Sequence, residues 1–230
     1  MLVCLVAGVL LGTARSYSQG TDIANRSVDL SNVVQDAEQR VLAADALAAN
    51  LQSQIEAAGG GDVSPQVAAV RSNVAALEPA AGLSPVVGPG LQVSMSDAPR
   101  DADGNYPLGV DPDDLVVHQQ DVQSVVNALW AGGAEAMMIM DQRVLTTSAV
   151  RCIGNTLLLQ GRTYSPPFVV TAIGDTAGMS AALDEEPGVQ LLLQYVDKFK
   201  LGYEVTVVDP VELPAYDGNV RMTNAREAGR

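Results

Sequence analysis

Aromatic residues are scarce in this chain of 230 residues: two Phe, one Trp and six Tyr, 4% of the total. An interior built from so few large rings has to rest on aliphatic packing. The abundance of Ala and Val suits helices and thin α/β layers better than a large aromatic core. Basic residues are also few, 13 against 27 acidic ones, for a formal net charge of −14. That balance argues against nucleic acid, whose phosphates need concentrated Lys and Arg, and against adsorption to anionic lipid. Histidine occurs once, at His118, and cysteine twice, at Cys4 and Cys152. One imidazole and two thiols at that spacing do not assemble a zinc site. Ser148 and Ser165 have no histidine at motif spacing, and no full P-loop or dinucleotide fingerprint is present. No cofactor is expected, and no enzyme either.

What is present begins with an uncharged apolar run over residues 1–14. At 1.5 Å per residue it would span about 20 Å, short of the roughly 30 Å hydrocarbon core. It has no basic n-region of a signal peptide. The reading taken is a partial transmembrane helix whose beginning is missing, with a cleaved signal remnant or a buried helix as alternatives. Residues 22–79 then form a helical stalk. Leu30, Val34, Ala37, Val41, Ala44, Ala48, Leu51 and Ile55 alternate steps of four and three, the seam of a coiled coil. Gly59-Gly60-Gly61 interrupts it, and Ser64-Pro65 restarts it with a cap and a first-turn proline. Val67, Val70, Val74 and Leu77 continue the rhythm. An intermolecular coiled coil and a hairpin folded at the glycines both fit; a homodimeric stalk is preferred.

The remainder reads as one α/β domain over residues 83–209. Gly88-Pro89-Gly90 is a stop, after which Leu91, Val93 and Met95 alternate as a half-buried strand. Asp101, Asp103 and Asn105 form a plain turn, since the glutamate a calcium loop needs is replaced by Pro112. A helix is expected from Asp111-Pro112 to Gly132, with His118 on its packing stripe. Strands follow at residues 134–140 and 144–150, then a turn at 151–155 and a hairpin bending at Gln160-Gly161. A buried strand follows Pro166-Pro167, then a helix capped by Asp175, a second helix ending at Gly202, and a last strand at 203–208. Residues 210–230 are expected to be a disordered tail. Strand, helix, strand, hairpin insertion, strand, helices, strand is the split βαβ order of a ferredoxin-like (βαββαβ) α+β domain with an inserted β-hairpin.

Two segments, DPDDLVVHQQDVQSVVNALWAGGAEAMMIMDQRV and TSAVRCIGNTLLLQGRTYSPPFVVTAIGD, carry a family pattern. The GAEA at 133–136, the Gln142-Arg143 corner, Ser148, Arg151, Gly154, Pro166-Pro167 and Ala172-Ile173-Gly174 stand in family order. In these the chain resembles the bacterial domain of unknown function 881 family, the YlxW/YlxX-like membrane-anchored proteins, over residues 20–209. The resemblance implies a single N-terminal membrane span, a coiled coil and an extracytoplasmic domain; the family brings no established activity. The chain departs from the pattern in having only part of the span and none of its basic flank.

Arg143, Arg151 and Arg162 are the candidate functional residues. If the β segments pair as hairpins, these three converge with Asp141, Gln142, Ser148 and Asn155 at one rim. Guanidinium forks there would bind a small anion or a partner; the alternative is internal bonding that ties down loops. His118 is a core or interface histidine, or else a ligand-binding group or general base. Cys152 is expected as a buried thiol. The expected function is a non-enzymatic, membrane-tethered interaction or scaffold protein of the cell envelope. It would be single-pass in the cell membrane, linked to division or wall growth, and dimeric through its coiled coil. Its partner would be an unknown envelope or division protein. The alternative is a small anionic-ligand sensor acting at the arginine rim or a dimer interface.

Overall fold

The computed structural model describes residues 36–57 except 38, 45, 52 and 56, and residues 64–218 except 101–103, 105, 107, 108 and 154. The expected span at 1–14, the start of the stalk, the turn at 101–105 apart from Gly104, and the tail beyond 218 lie outside these residues. The chain divides into two units, Met1–Asp62 and Val63–Arg230. No helix among the described residues is long and apolar enough to cross a membrane.

In the first unit the described residues between 36 and 57 are helical, and Leu42, Leu47, Leu51 and Ile55 are exposed. The second unit opens with α1 (Pro65–Leu77), where Ser64 Oγ accepts the Val67 N–H at 3.5 Å and proline takes the first turn. None of its residues is buried. Then come β1 (Val86–Ser96), a 3-10 turn (Pro112–Leu115), α2 (Gln119–Ala131), β2 (Ala134–Ile139), β3 (Gln142–Val144) and β4 (Arg151–Ile153). They are followed by β5 (Thr156–Leu159), β6 (Arg162–Tyr164), β7 (Phe168–Gly174), α3 (Thr176–Glu185), α4 (Pro187–Phe199) and β8 (Gly202–Leu213).

The architecture is α+β with antiparallel sheets. Five strands pair in the order β3-β2-β7-β1-β8, and a second sheet has the order β4-β5-β6. Period-two alternation sends Leu91, Val93 and Met95 of β1, Val170 and Ala172 of β7, and Met137 and Ile139 of β2 to one face. The helices answer with Val122, Val125 and Leu129 from α2, Met179 and Leu183 from α3, and Leu192 from α4. Leu157 and Leu159 of β5 join the same core. The reverse face carries a smaller cluster, Ala136, Ile173 and Leu213, with Val86, Met138 and Val211 against it.

Several expected boundaries are corrected. Gly88-Pro89-Gly90 does not stop the chain but lies inside β1, where the register with β8 shifts between Gly88 and Gly90; glycine in a strand marks such a bulge. The helix expected from Asp111 is broken. Asp111 caps only a single 3-10 turn, and α2 begins at Gln119. Val116 is extended, and the Val117 N–H donates to Asp97 Oδ1 at 3.0 Å. Two adjacent β-branched residues favour that conformation, and the Asp97 carboxylate replaces the lost helical bond. The strand expected at 144–150 ends at Val144. Ser148 Oγ accepts the Leu145 N–H at 3.0 Å, closing a turn that competes with a ladder. Residues 151–153, expected as a turn, form β4. The helix expected to end at Gly202 stops earlier, at Lys200 in the left-handed region with φ 67°. The last strand continues past Asp209 through Pro210 to Leu213, so the domain does not end at 209. Proline is tolerated because β8 is an edge strand. Tyr216, placed in the expected tail, donates its N–H to the Gly82 carbonyl at 2.8 Å.

Candidate functional site

The residues expected at one rim fall in separate places. Asp141 sits at the β2–β3 corner, where it accepts hydrogen bonds from Arg162 Nη1 at 3.1 Å and from the Tyr164 hydroxyl. Gln142, itself buried, bonds to both Asp141 and Tyr164. Burial on its own raises the Asp141 carboxyl. The hydrogen bonds from Tyr164 and Gln142, together with the Arg162 charge, outweigh it and hold the group below its ordinary value. Arg162 is therefore engaged in a surface ion pair that ties β6 to the corner, the kind of pair that contributes little by itself. Arg151 is exposed on β4, two strands away from β6 in the smaller sheet. Ser148 serves its own turn, and Asn155 Nδ2 donates to Asp97 Oδ2 at 2.6 Å.

The Tyr164 phenol is pushed up to about 12, first by burial and then by the hydrogen bond and charge of Asp141. Tyr203 also rises to about 12, through burial and the charge of Asp184. Both folded values lie above the ordinary phenol value of about 10. Their contribution to stability is therefore complete below pH ~10 and is lost as pH rises through ~12. In an alkaline titration followed by phenolate absorbance, two of the six tyrosines should ionise last. Asp141→Asn should bring Tyr164 down while leaving Tyr203 in place. A single early step for all tyrosines in the folded protein would contradict this.

Arg143 turns the other way. Its register partner on β2 is Met138, which belongs to the reverse face of the large sheet. There it is buried, and Nη1 donates to the Pro214 carbonyl at 2.9 Å. Burial pushes its guanidinium below the ordinary value. Its own carbonyl accepts from Gln160 Nε2 at 2.8 Å, which joins β3 to the β5–β6 turn. Arg143 thus clamps the arm after β8 and shares no site with Arg151 or Arg162.

His118 caps α2 instead of lying along its packing stripe, and its side chain is half-exposed. Its N–H donates to Asp121 Oδ2 at 2.8 Å, while Nε2 lies 3.5 Å from Asp113 Oδ1 and Nδ1 lies 3.8 Å from Asp121 Oδ2. Burial raises the Asp121 carboxyl, against the lowering effect of that backbone hydrogen bond and of the His118 charge. A wide groove of about 630 Å³ brings His118 together with Gln119, Cys152 and Asn155. Cys152 is an exposed free thiol, not the buried one expected, and its N–H donates to Gln119 Oε1 at 3.1 Å. Asp97 was not singled out in the sequence. It receives both the Val117 N–H and Asn155, so it joins the end of β1, the approach to α2 and the β4–β5 turn. Only its place at the boundary of a strand and a polar loop hinted at that role. Among the described residues no group of three or more His, Cys, Asp or Glu is placed to hold a metal ion.

This arrangement can be set beside known proteins. The UPF0749 protein Rv1823 of Mycobacterium tuberculosis is 29% identical over 211 residues, covering 90% of this chain and 62% of the relative. The UPF0749 protein YlxW of Bacillus subtilis is 30% identical over 113 residues, 48% of this chain and 47% of that protein. The chain therefore spans less than two thirds of the length of either relative. A crystal structure of an uncharacterized conserved protein from Mycobacterium tuberculosis is similar at 25% identity with a TM-score of 0.50, over 67% of this chain and 99% of that one. The family model described as bacterial protein of unknown function, DUF881, matches residues 73–226. That match runs from within α1 to beyond β8 and takes in every strand of both sheets, so the chain belongs to the DUF881 family.

Proposed function

We propose that the protein is a non-enzymatic, membrane-tethered scaffold of the cell envelope, linked to division or wall growth, that dimerises through its stalk and presents the α+β unit to a partner. The observation that carries this is α1. Val67, Val70, Val74 and Leu77 stand at steps of three, four and three and are 44%, 60%, 53% and 67% exposed. A helix of 13 residues with nothing buried is marginal in water, because helices shorter than about 12–15 residues need tertiary packing. The same spacing makes the stripe self-complementary, so a second copy is the occupant that fits it. The chemistry is consistent with a binding role: the charged residues of the expected rim are engaged in structural bonds or stand apart. The order β2-β7-β1-β8, with helices on both crossovers, supports a ferredoxin-like plan for the presented unit, with β4–β6 as its insertion. The tether itself is assigned to the apolar run at 1–14, with the domain outside the cytoplasm.

In sedimentation, the chain from residue 22 to 218 should run as a dimer. Changing Val67, Val70, Val74 and Leu77 together to serine should give a monomer whose α+β unit melts as before. A parent chain that is already monomeric removes the stalk from the account. A second reading, sensing of a small anionic ligand, is favoured by one observation, the burial of Arg143.

A further inference from the structure

Arg143 is the only charged side chain among the described residues that the fold removes from solvent, at 3% exposure. Its Nη1 is satisfied by the Pro214 carbonyl, its Nε is buried without a hydrogen-bond partner, and no carboxylate among the described residues pairs with it. A guanidinium does not give up its proton in a protein, so the charge stays. A buried cation left without a counter-charge is costly. The same side chain borders a cavity of about 350 Å³ behind the large sheet. Pro79, Ala80, Val86, Ala136 and Ile173 line the cavity, with exposed Glu135 also at its edge. One buried cation among apolar walls is the reverse of a phosphate site, which gathers several donors. The Glu135 carboxylate at the edge also disfavours polyanions.

We propose that this cavity binds a small monocarboxylate carrying a short branched apolar body. The carboxylate is set against Arg143 and the hydrocarbon against Val86, Ala136 and Ile173. The volume is at the low end for small-molecule pockets, which keeps the ligand small. A free branched acid and the C-terminal residue of a peptide share this chemistry. The site deepens the ligand-sensing reading given above, in which occupancy would act on the pairing of the stalk through Pro79 and Ala80, just past the end of α1.

The test follows the NMR signals of Val86, Ala136 and Ile173 in the full chain. The probes are 3-methylbutanoate, its neutral amide and the tripeptide glycyl-glycyl-valine. The acid should shift these signals saturably and the amide should not. Glu135→Gln, at an exposed position, should tighten binding about threefold, as expected for removing one solvent-screened like charge a few ångströms away. Val87→Asp, on the exposed part of the cavity wall, should weaken it by a similar factor without disturbing the core. Arg143→Gln should abolish it. Because that change also frees the arm at Pro214, the Glu135 and Val87 variants decide the matter if it fails to fold. Tighter binding of the tripeptide than of the free acid would assign the site to a chain terminus; the reverse order would assign it to a free acid. No saturable shift with either carboxylate, equal shifts with the amide, or no response to Glu135→Gln would overturn the proposal. Saturable binding that leaves sedimentation unchanged supports the site and removes the sensing role.

Discussion

Phe168→Ala should lower the unfolding free energy by about 3–5 kcal/mol, the usual range for emptying a buried aromatic site. Phe168 is the first residue of β7, is fully buried, and lies opposite Met95 in the β1 register. Among the described residues it is the only aromatic side chain fully inside the core. Its neighbours in that cluster are mainly aliphatic, and the closed ladders on both sides of β7 restrain the backbone from collapsing into the void. Urea unfolding measures the effect. Phe168→Leu should retain most of the stability, since it keeps the greater part of the volume. A loss below about 1 kcal/mol for alanine would mean that β7 is not the central strand of a packed core.

Gly174→Ala should cost about 2–5 kcal/mol, by a different mechanism. Gly174 ends β7 with φ at +155°, in a region that side chains rarely adopt. A Cβ there would stand 2.3 Å from the Gly133 carbonyl oxygen and 3.0 Å from the Ala134 Cα. Both obstacles are backbone, held in place because Ala134 is the register partner of Gly174. Backbone strain and overpacking each contribute about 1–3 kcal/mol, and neither can relax without unpairing β2 from β7. Loss of the amide protection of β2 in hydrogen exchange should accompany the destabilisation. A stability within about 0.5 kcal/mol of the parent would show that the β2–β7 junction can open to admit a Cβ at Gly174.

Much of the fold was legible because its signals are local and periodic. Leu91, Val93 and Met95 alternate, Val122, Val125 and Leu129 step by three and four, and Ser64 and Asp175 cap where a cap is needed. The family resemblance was legible as well, in the motifs around residues 133–174. The candidate site was much less so, for reasons of register. Arg143, Arg151 and Arg162 all lie near turns, which is why the sequence groups them. The pairing of Arg143 with Met138 sends one to the reverse face, and residues 151–153 pair with β5 as an edge strand instead of making a corner. A one-residue change of register reverses which face a side chain takes, and nothing local specifies it here. His118 was misplaced for a similar reason. The helical spacing from Leu115 onward is real, but Val116 is extended and Asp97, distant in sequence, takes the Val117 N–H. Gly88-Pro89-Gly90 reads locally as a stop and residues 210–230 as a tail, although a bulge accommodates the first and an edge strand runs on through Pro210 to Leu213.

The central claim is that two copies meet along the α1 stripe, and a disulfide tests it most directly. In a chain with Cys4 and Cys152 changed to serine, Val70→Cys places a thiol in the proposed seam, and Arg71→Cys places one beside it. In a parallel pairing, Val70→Cys should oxidise to a covalent dimer at low protein concentration, while Arg71→Cys stays largely monomeric. Equal and slow oxidation of the two variants, or none in either, would contradict a stalk that pairs through Val67, Val70, Val74 and Leu77.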